Sequence, residues 1–368
     1  MESTEIIVIG AGLAGLTAAL ELAEAGRQVV VFDSHRLPRH KVCGEYLSME
    51  VVPYLNSKGV DLSDAPEIGH LLLATPGGRS LRASLPLGAV GISRYALDQR
   101  LYEAARAAGV RFVWQAVEAV SFSDHQFRVR TRENAYSARL VLGAWGKRSR
   151  LDRLAGRPFF SKPSPWMGIK MHYQMDYPGN QVGLYAFRGG YGGLSVTETG
   201  AVNFCYLIHR DRFKNTPDLE ACTRLLASEH PLLAPLLSEA KPLFPKALGI
   251  SNISFHPKKL GSNHILMAGD AARLIHPLCG NGMAMAIEGG RLLASLTTGY
   301  IQGKIRDLDA LEKEYSLQWQ GKFRQRLRFG SLLQQLLLHP RGLEIGVGIA
   351  GKSPRLVQQL IEKTHGRP

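Results

Sequence analysis

Residues 5–15 read Glu-Ile-Ile-Val-Ile-Gly-Ala-Gly-Leu-Ala-Gly, and this stretch decides the fold. Its apolar run is typical of a buried strand and leads directly into a G-x-G-x-x-G pattern over residues 10–15. The apolar spacing of residues 13–25 predicts a helix that Gly26 ends, and residues 28–32 are typical of a second strand. The stretch therefore begins a predicted βαβ unit of about thirty residues.

The three glycines of this pattern have separate roles. Gly10 allows a tight turn, Gly12 lets the backbone approach a pyrophosphate, and Gly15 lets the helix pack close to the strand. The N-terminus of the helix presents free N–H groups to the anion. Asp33, at the end of the second strand, is placed to accept hydrogen bonds from an adenosine ribose. The pattern predicts a dinucleotide site without deciding between NAD and FAD.

A second glycine-rich segment lies about 250 residues further on. Residues 264–272 read His-Ile-Leu-Met-Ala-Gly-Asp-Ala-Ala, with a strand-like pattern before Asp270. A helical pattern over residues 283–296 follows the Gly-Asn-Gly of 280–282. A carboxylate at a strand end can hold the hydroxyls of a ribityl chain, and the positive end of the helix would face a flavin's pyrimidine oxygen. The second segment therefore favours FAD.

A third motif, Arg-x-x-Leu-Asp-x-x-Leu over residues 94–101, completes the pattern. Together the three motifs resemble the FAD-dependent oxidoreductases of the para-hydroxybenzoate hydroxylase fold, which include aromatic hydroxylases, geranylgeranyl-type reductases and flavin-dependent halogenases. The resemblance implies an α/β protein with a Rossmann-like FAD-binding domain of the glutathione reductase type, an inserted β-sheet substrate domain and C-terminal helices. It also implies FAD contacts at Gly10, Gly12, Ala14, Gly15, Asp33, Ser34, Arg36, Lys41, Cys43, Gly44, Arg94, Gly146, Gly269, Asp270, Pro277, Gly280, Asn281, Gly282 and Met283.

Short β-type runs split by glycines occupy the middle of the chain, between the nucleotide-binding segments, and this predicts a discontinuous domain. We assign residues 1–72, 92–154 and 262–310 to the FAD-binding domain, 73–91 and 155–261 to a β-rich substrate domain, and 311–368 to a basic C-terminal helical region. Candidate residues for lining a substrate pocket, each of which has sheet packing as its alternative role, are Trp166, Lys170, His172, Tyr185, Tyr191 and Asn203.

Two loops carry the candidate catalytic residues. Residues 41–45, Lys-Val-Cys-Gly-Glu, resemble the K-x-C-G-G loop of geranylgeranyl reductases, which runs beside the flavin ring. Cys43 is a candidate to donate a proton or tune the ring, and Glu45 to act as a general acid or base if burial raises its pKa. In relatives, the proline matching Pro277 stands over the flavin face, which makes His276 a further acid–base candidate. For each of these residues a purely structural role is the alternative.

The signature motifs of the family discriminate between possible reactions. The halogenase signature W-x-W-x-I-P is absent at residues 165–170, and the Y-x-W-x-F-P signature of geranylgeranyl reductases is reduced to Tyr-Gly-Gly-Leu-Ser-Val at 191–196. We expect a monooxygenase that hydroxylates an aromatic or lipid-like secondary metabolite through a flavin hydroperoxide. The alternative is geranylgeranyl reductase-like reduction of carbon–carbon double bonds. A halogenase and a non-catalytic flavin sensor are less favoured.

Trp145 stands where the family often has the aspartate of an A-D-G motif that contacts FAD and NAD(P)H. Both NAD(P)H and a partner flavin reductase therefore remain as electron sources. Four scattered cysteines form no metal-binding spacing, so we expect no metal site and a cytoplasmic, reduced protein.

Half of the net charge of +14 lies in one segment. Residues 321–368 hold nine Lys and Arg against two Glu, interleaved with leucines and phenylalanines. This pattern is typical of an amphipathic surface that contacts anionic lipid or an acidic carrier protein, and also of a solvated helical region with its apolar face on the core. No nucleic-acid-binding motif accompanies the charge, so we expect no nucleic acid partner.

Overall fold

The computed structural model describes residues 2–157, 163–214 and 216–350 and folds them into two β-sheets with helices packed against them. Residues 351–368 of the predicted basic region lie outside the described residues. Among the described residues, no helix combines the length and the apolar run needed to cross a membrane.

The first sheet has the predicted parallel centre. Its strands are β1 (Glu2–Ile9), β2 (Val29–Phe32), β6 (Arg111–Val113), β7 (Val117–Ser123), β8 (Gln126–Thr131), β9 (Ala135–Gly143), β16 (Gly261–Ser262) and β17 (Ile265–Met267). β1 pairs in parallel with β2 and β9, and β17 pairs in parallel with β9. Residues 6–9 are all buried, as expected for a central parallel strand covered on both faces. The two glycine-rich segments therefore follow strands of one sheet.

The second sheet is mostly antiparallel. Its strands are β3 (Tyr46–Ser48), β4 (Glu67–Ala74), β5 (Ser80–Gly91), β10 (Trp166–Gln174), β11 (Gln181–Phe187), β12 (Gly190–Val196), β13 (Val202–His209), β14 (Lys241–Pro242) and β15 (Leu248–Ile250). It draws β3 and most of β4 from the stretch that the sequence-based boundaries assigned to the FAD-binding domain. The boundaries themselves stay a prediction.

Ten helices are found in the described residues: α1 (Leu13–Glu24), α2 (Val52–Ser57), α3 (Arg94–Ala107), α4 (Arg150–Leu154), α5 (Arg210–Phe213), α6 (Leu219–Glu229), α7 (Leu233–Ser238), α8 (Gly282–Ile301), α9 (Leu308–Leu337) and α10 (Pro340–Ala350). Ser93, Asp218 and Asp307 cap α3, α6 and α9, each accepting a hydrogen bond from a backbone N–H of the first turn. α1 and α8 begin without such a side-chain cap. Their first N–H groups therefore stay available to a ligand.

The second sheet has two different faces. Strand register places Lys170, Cys205 and Gly193 on one face, with the row of His172, Asn203 and Ser195 beside them. The opposite face forms an apolar core with α6 and α7. We call the face that carries Lys170 the polar-loop face, since the loop of residues 41–45 lies on it.

Candidate functional site

The fold brings the two glycine-rich segments into contact. A Cβ on Gly269 would lie 2.9 Å from Cβ of Ala14, and one on Gly290 in α8 would lie 2.5 Å from the carbonyl oxygen of Ala14. A side chain at Gly15 would collide with the backbone of Gly10. The absence of a side chain at Gly290 therefore lets α8 approach the backbone of α1 closely.

Gly10 and Gly12 shape the start of α1 differently. Gly10 has a φ of +113°, and a Cβ there would collide with the carbonyl of Ala144. A Cβ on Gly12 would meet only Nη2 of Arg94, at 3.9 Å, so the space in front of the helix is open. Free N–H groups and a guanidinium thus border a space that suits a pyrophosphate.

Asp33 anchors the glycine loop from the end of β2. Its carboxylate accepts hydrogen bonds from the backbone N–H of Ala11 and of His35, both at 2.9 Å. Ser34 and Arg36 lie in the exposed turn that follows. The ribose contacts of these residues stay predictions.

Asp270 carries a half-buried carboxylate at the second segment. Burial raises its pKa, and the charges of Lys258, Arg94 and Lys147 oppose this effect. Nζ of Lys258 donates to the backbone carbonyl of Asp270 at 2.7 Å, but no hydrogen bond from the described residues reaches its carboxylate. Burial also lowers the pKa of Lys147 and of Lys258 to about 8. An acceptor left without a donor fits the hydroxyls of a ribityl chain.

Arg94 and Lys41 converge on Asp98. Arg94 makes two hydrogen bonds to the Asp98 carboxylate, at 2.8 and 2.9 Å, and Nζ of Lys41 lies 2.6 Å from it. Burial acts to raise the pKa of Asp98, but the charges of Arg94 and Lys41 outweigh it and lower this pKa. Asp98 stays ionised and joins α3 to the loop of residues 41–45. The helical i, i+4 spacing of Arg94 and Asp98 is a signal that the sequence offers for this pair.

The loop of residues 41–45 is fastened to the polar-loop face. Asn203 donates to the carbonyl of Cys43 at 3.1 Å, Ser195 to the carbonyl of Gly44 at 3.2 Å, and Lys170 to the carbonyl of Lys41 at 3.2 Å. A Cβ on Gly44 would meet no atom within 4 Å. Burial raises the pKa of the Cys43 thiol, and the charge of Arg94 offsets this only in part. Cys43 is therefore a protonated thiol beside open space.

Glu45 lies in the left-handed backbone region, with a φ of +55°, where the related loops carry glycine. Its buried carboxylate accepts hydrogen bonds from His172 at 2.6 Å, from Lys170, and from the N–H of Arg94 at 2.7 Å. Burial acts to raise the pKa of Glu45, but the His172 hydrogen bond and the Lys170 charge lower it. The raised pKa considered from the sequence is not found, because the second sheet supplies a cation and a donor. Glu45 is a carboxylate that holds the loop.

His40, which the sequence analysis did not single out, lies beside this cluster. Ligand atoms of His40, Glu45 and His172 lie within 4.8 Å of one another, as they would around a metal ion. Both carboxylate oxygens of Glu45, however, already accept from Lys170 and His172. A neighbouring ammonium group does not suit a divalent cation, so this donor set fits a metal poorly.

The loop of residues 276–280 meets the loop of residues 41–46. Gly280 has a φ of +61°, and a Cβ there would lie 2.8 Å from Cδ1 of Tyr46. His276 stacks on Phe255, with ring centroids 4.0 Å apart, and its Nε2 lies 3.3 Å from Oγ of Ser331 in α9. Burial lowers the pKa of His276 to about 4. His276 is therefore neutral at neutral pH, and Pro277 follows it at the start of a short turn.

Asn281 precedes α8 and is tied to α9. Its Nδ2 donates to Glu50 at 3.2 Å, and its Oδ1 accepts from Arg326 at 3.0 Å. Arg326 also donates to both carboxylate oxygens of Glu50, at 2.8 and 3.1 Å. The side chain of Asn281 is thus occupied. The backbone N–H groups of Gly282 and Met283 at the uncapped start of α8 remain the candidate flavin contacts.

The candidate pocket residues fall on different faces of the second sheet. Trp166, Lys170, His172, Tyr191 and Asn203 share the polar-loop face. The hydroxyl of Tyr191 accepts a hydrogen bond from the N–H of Leu278 at 3.3 Å. Tyr185 lies on the opposite face, with its ring edge-on to His230. Tyr185 pairs with Gly192, one residue after Tyr191, and side chains alternate between the two faces of a sheet. The sheet therefore separates Tyr185 from the other five residues.

Trp145 has a packing role in this chain. Its indole N–H donates to Asp152 at 3.1 Å, and Asp152 also accepts from Arg157 at 2.5 Å. Gly146 follows with a φ of +83°, and a Cβ there would meet no atom within 4 Å. The sequence gives no indication of the hydrogen bond between Trp145 and Asp152, because it depends on where α4 is placed in the fold.

Comparisons with known proteins agree with this geometry. A family model described as an FAD binding domain matches residues 3–315. The chain is 28% identical over 326 residues to a menaquinone reductase of Mycobacterium tuberculosis. This alignment covers 80% of the present chain and 76% of the reductase. It is 24% identical over 338 residues to digeranylgeranylglycerophospholipid reductase 2 of Methanopyrus kandleri, covering 88% of this chain and 84% of that one.

Solved structures share the same architecture. A flavin-dependent brominase superposes with a TM-score of 0.82 at 17% identity, covering 98% of this chain and 93% of that one. At this identity the match shows the fold alone.

Proposed function

The chain belongs to the FAD binding domain family as an FAD-dependent oxidoreductase, and we propose that it reduces carbon–carbon double bonds in the prenyl tail of a lipid. The observation that carries the proposal is the protonated thiol of Cys43, fastened beside the open space over Gly44. Gly12 and Gly44 leave open space that bound FAD would fill. The Asp270 carboxylate offers an acceptor that FAD hydroxyls would use. When bound and reduced, FAD supplies a hydride.

Saturating one double bond places a hydride on one carbon and a proton on the other. The Sγ–H of Cys43 is the proton donor, and the electron pair of the broken S–H bond stays on sulfur as a thiolate. The positive charge of Arg94 favours that thiolate, and water returns the proton afterwards. Asn203, Ser195 and Lys170 keep the thiol in place by holding the loop's carbonyls.

The polar-loop face leaves room for a chain of carbons. A Cβ on Gly193 would meet no atom closer than 3.8 Å, and Gly193 stands where the reductase signature has a tryptophan. Further along the same face, Leu184 and Leu207 pack in an apolar core with Leu337, Leu343 and Val347 of α9 and α10. The names of the two relatives, a menaquinone reductase and a digeranylgeranylglycerophospholipid reductase, support a prenyl lipid as substrate.

The test is an anaerobic assay of the purified, FAD-loaded protein, reduced with dithionite and given a menaquinone or a geranylgeranyl phospholipid. The expected product is heavier by two hydrogen atoms per double bond. Cys43→Ala should lower the rate by about 100-fold or more, because it removes the proton donor. Cys222→Ala, which changes a buried thiol on the opposite face of the second sheet, should leave the rate unchanged.

An aerobic product that gains one oxygen atom, with no reduced product under either condition, would contradict the proposal and support the monooxygenase expected from the sequence. Equal rates for the two alanine variants would remove Cys43 from the mechanism.

We propose that electrons come from NAD(P)H or from a partner flavin reductase. Trp145, with its indole bonded to Asp152, supplies no carboxylate for a nicotinamide cofactor. Oxidation of NADH or NADPH by the purified protein alone distinguishes the two sources, since a partner-dependent protein leaves both untouched.

A further inference from the structure

The C-terminal helices expose an unusual share of apolar surface. Among the described residues, nine large apolar side chains are exposed, and five of them lie on α9 and α10. Leu332 in α9 and Ile345 in α10 are 62% and 64% exposed, so most of each side chain faces solvent. The set on these two helices is Leu317, Leu332, Leu336, Ile345 and Ile349.

Helical spacing gathers these side chains on one side of each helix. On α9, positions spaced by three or four residues form one exposed stripe, which contains Leu317, Gly321, Arg324, Arg328 and Leu332. On α10, the same spacing joins Arg341, Ile345 and Ile349, which are all exposed. We call these two stripes together the outer face.

The outer face is continuous between the helices. Leu336 of α9 lies against α10, since Cβ atoms on Gly342 and Gly346 would lie 3.6 and 3.9 Å from its methyl groups. The buried sides of the two helices contribute Leu337, Leu343 and Val347 to a core shared with the polar-loop face of the second sheet. The outer face therefore lies on the side of these helices that is turned away from the second sheet.

The charge of the outer face is positive. Arg324, Arg328 and Arg341 are exposed on it, and Glu344 is the sole acid on α10 in the described part of the chain. Glu344 is directed toward the turn between β4 and β5, where it accepts a hydrogen bond from the N–H of Gly77 at 3.1 Å. Apolar side chains among arginines, without interspersed acids, are typical of surfaces that rest in the headgroup region of an anionic bilayer.

We propose that the outer face of α9 and α10 docks this protein onto an anionic membrane surface. Charge complementarity selects this occupant: a second copy would bring one positive face against another, which repels. Scattered leucines and isoleucines separated by arginines need no partner of matching shape, since lipid headgroups and chains adapt to them. Docking concerns binding alone and does not depend on the reaction proposed above.

Co-sedimentation of the FAD-loaded full chain with vesicles tests the proposal. The protein should sediment with vesicles of phosphatidylcholine and phosphatidylglycerol, much less with phosphatidylcholine alone, and less as salt rises. Arg324→Glu/Arg328→Glu should weaken binding by about 25-fold or more, since one basic residue near an anionic surface contributes about five-fold. Leu332→Asp/Ile345→Asp should weaken it as well, because it removes the apolar contacts.

Lys304→Glu/Arg306→Glu is the matched control, since both residues are exposed outside the outer face and the change in net charge is the same. It should bind like the unaltered protein. Equal binding by the control and the Arg324/Arg328 variant would overturn the proposal. Failure to sediment with anionic vesicles at low salt would also overturn it.

A third result would overturn the proposal in favour of another partner. If the protein is a dimer in solution and the Arg324/Arg328 or Leu332/Ile345 variants are monomers, the outer face is an interface between copies. Retention of FAD and an unchanged melting temperature in each variant exclude unfolding as the cause of lost binding.

Discussion

At the scale of single residues, Glu45 shows how a cluster of charges compensates for an unfavourable backbone. A non-glycine residue in the left-handed region costs about 1–2 kcal/mol. Hydrogen bonds that involve charged partners contribute about 1.5–3 kcal/mol each, and Glu45 accepts from Lys170 and His172. These contacts oppose both the backbone cost and the desolvation of the buried carboxylate. The geranylgeranyl reductase loop uses glycine at this position, and this chain uses a carboxylate held by the second sheet.

His276 predicts a pH dependence of stability at the same scale. Its pKa is lowered to about 4 by burial, below the ordinary 6.5. Below pH 6.5 the unfolded chain binds the proton while the folded chain stays neutral, so stability falls as the pH drops toward 4. At pH 5 the loss should be about 1–2 kcal/mol relative to pH 7. Urea unfolding of the unaltered protein and of His276→Gln at both pH values measures it.

The His276→Gln variant should lack this part of the pH dependence, while between pH 7 and 8 the two proteins should change in parallel. A protein and variant that lose the same free energy between pH 7 and 5 would show that His276 is protonated in the fold.

At the scale of secondary-structure elements, the contact between α1 and α8 depends on glycine. A Cβ on Gly290 would lie 2.5 Å from the carbonyl oxygen of Ala14, a backbone atom that cannot move aside easily. Gly290→Ala should therefore lower the free energy of unfolding by about 1–3 kcal/mol and weaken FAD retention, because both helices begin at the proposed cofactor site. Urea unfolding and the flavin absorbance of the purified protein measure the two effects.

Gly289 provides the matched control on the same helix. A Cβ there would lie 3.8 Å from Nε1 of Trp319 and 3.9 Å from the backbone nitrogen of Gly269, which are ordinary contacts. Gly289→Ala should be neutral or stabilising by up to about 1 kcal/mol, because alanine favours helix more than glycine does. Equal stability of the two variants would mean that α1 and α8 do not pack this closely.

At the scale of the whole molecule, Arg326 connects α9 to the loop that begins α8. Its guanidinium donates to Glu50 and Asn281, all three side chains being buried. Arg326→Met should destabilise the fold by about 3–5 kcal/mol, because the buried Glu50 carboxylate and Asn281 both lose the guanidinium that donates to them. Glu50→Gln/Arg326→Met should recover part of that loss, since the buried negative charge is removed. Urea unfolding of the three proteins gives the coupling between the two side chains.

Loss of Arg326 should also lower FAD retention, because Asn281 precedes the uncapped N-terminus of α8. If the free energy of unfolding of Arg326→Met lies within about 1 kcal/mol of that of the unaltered protein, Arg326 does not couple α9 to the loop before α8.

The sequence alone predicted the βαβ unit and the FAD-type segment at Asp270. These features depend on spacing within a few turns of chain: glycines next to a strand and apolar residues at helical intervals. Local spacing determines local backbone geometry, so such features can be recognised without knowledge of the rest of the molecule.

Only the tertiary structure decided the state of the side chains at the site. Glu45 is ionised because Lys170 and His172, more than 120 residues away, lie on the strand beneath it. Tyr185 points away from the site because of sheet register, and Arg326 meets Glu50 across 276 residues. Burial and charge at a residue depend on what long-range packing places around it. A pKa and a pocket lining are therefore properties of the fold, while a cofactor motif is a property of the sequence.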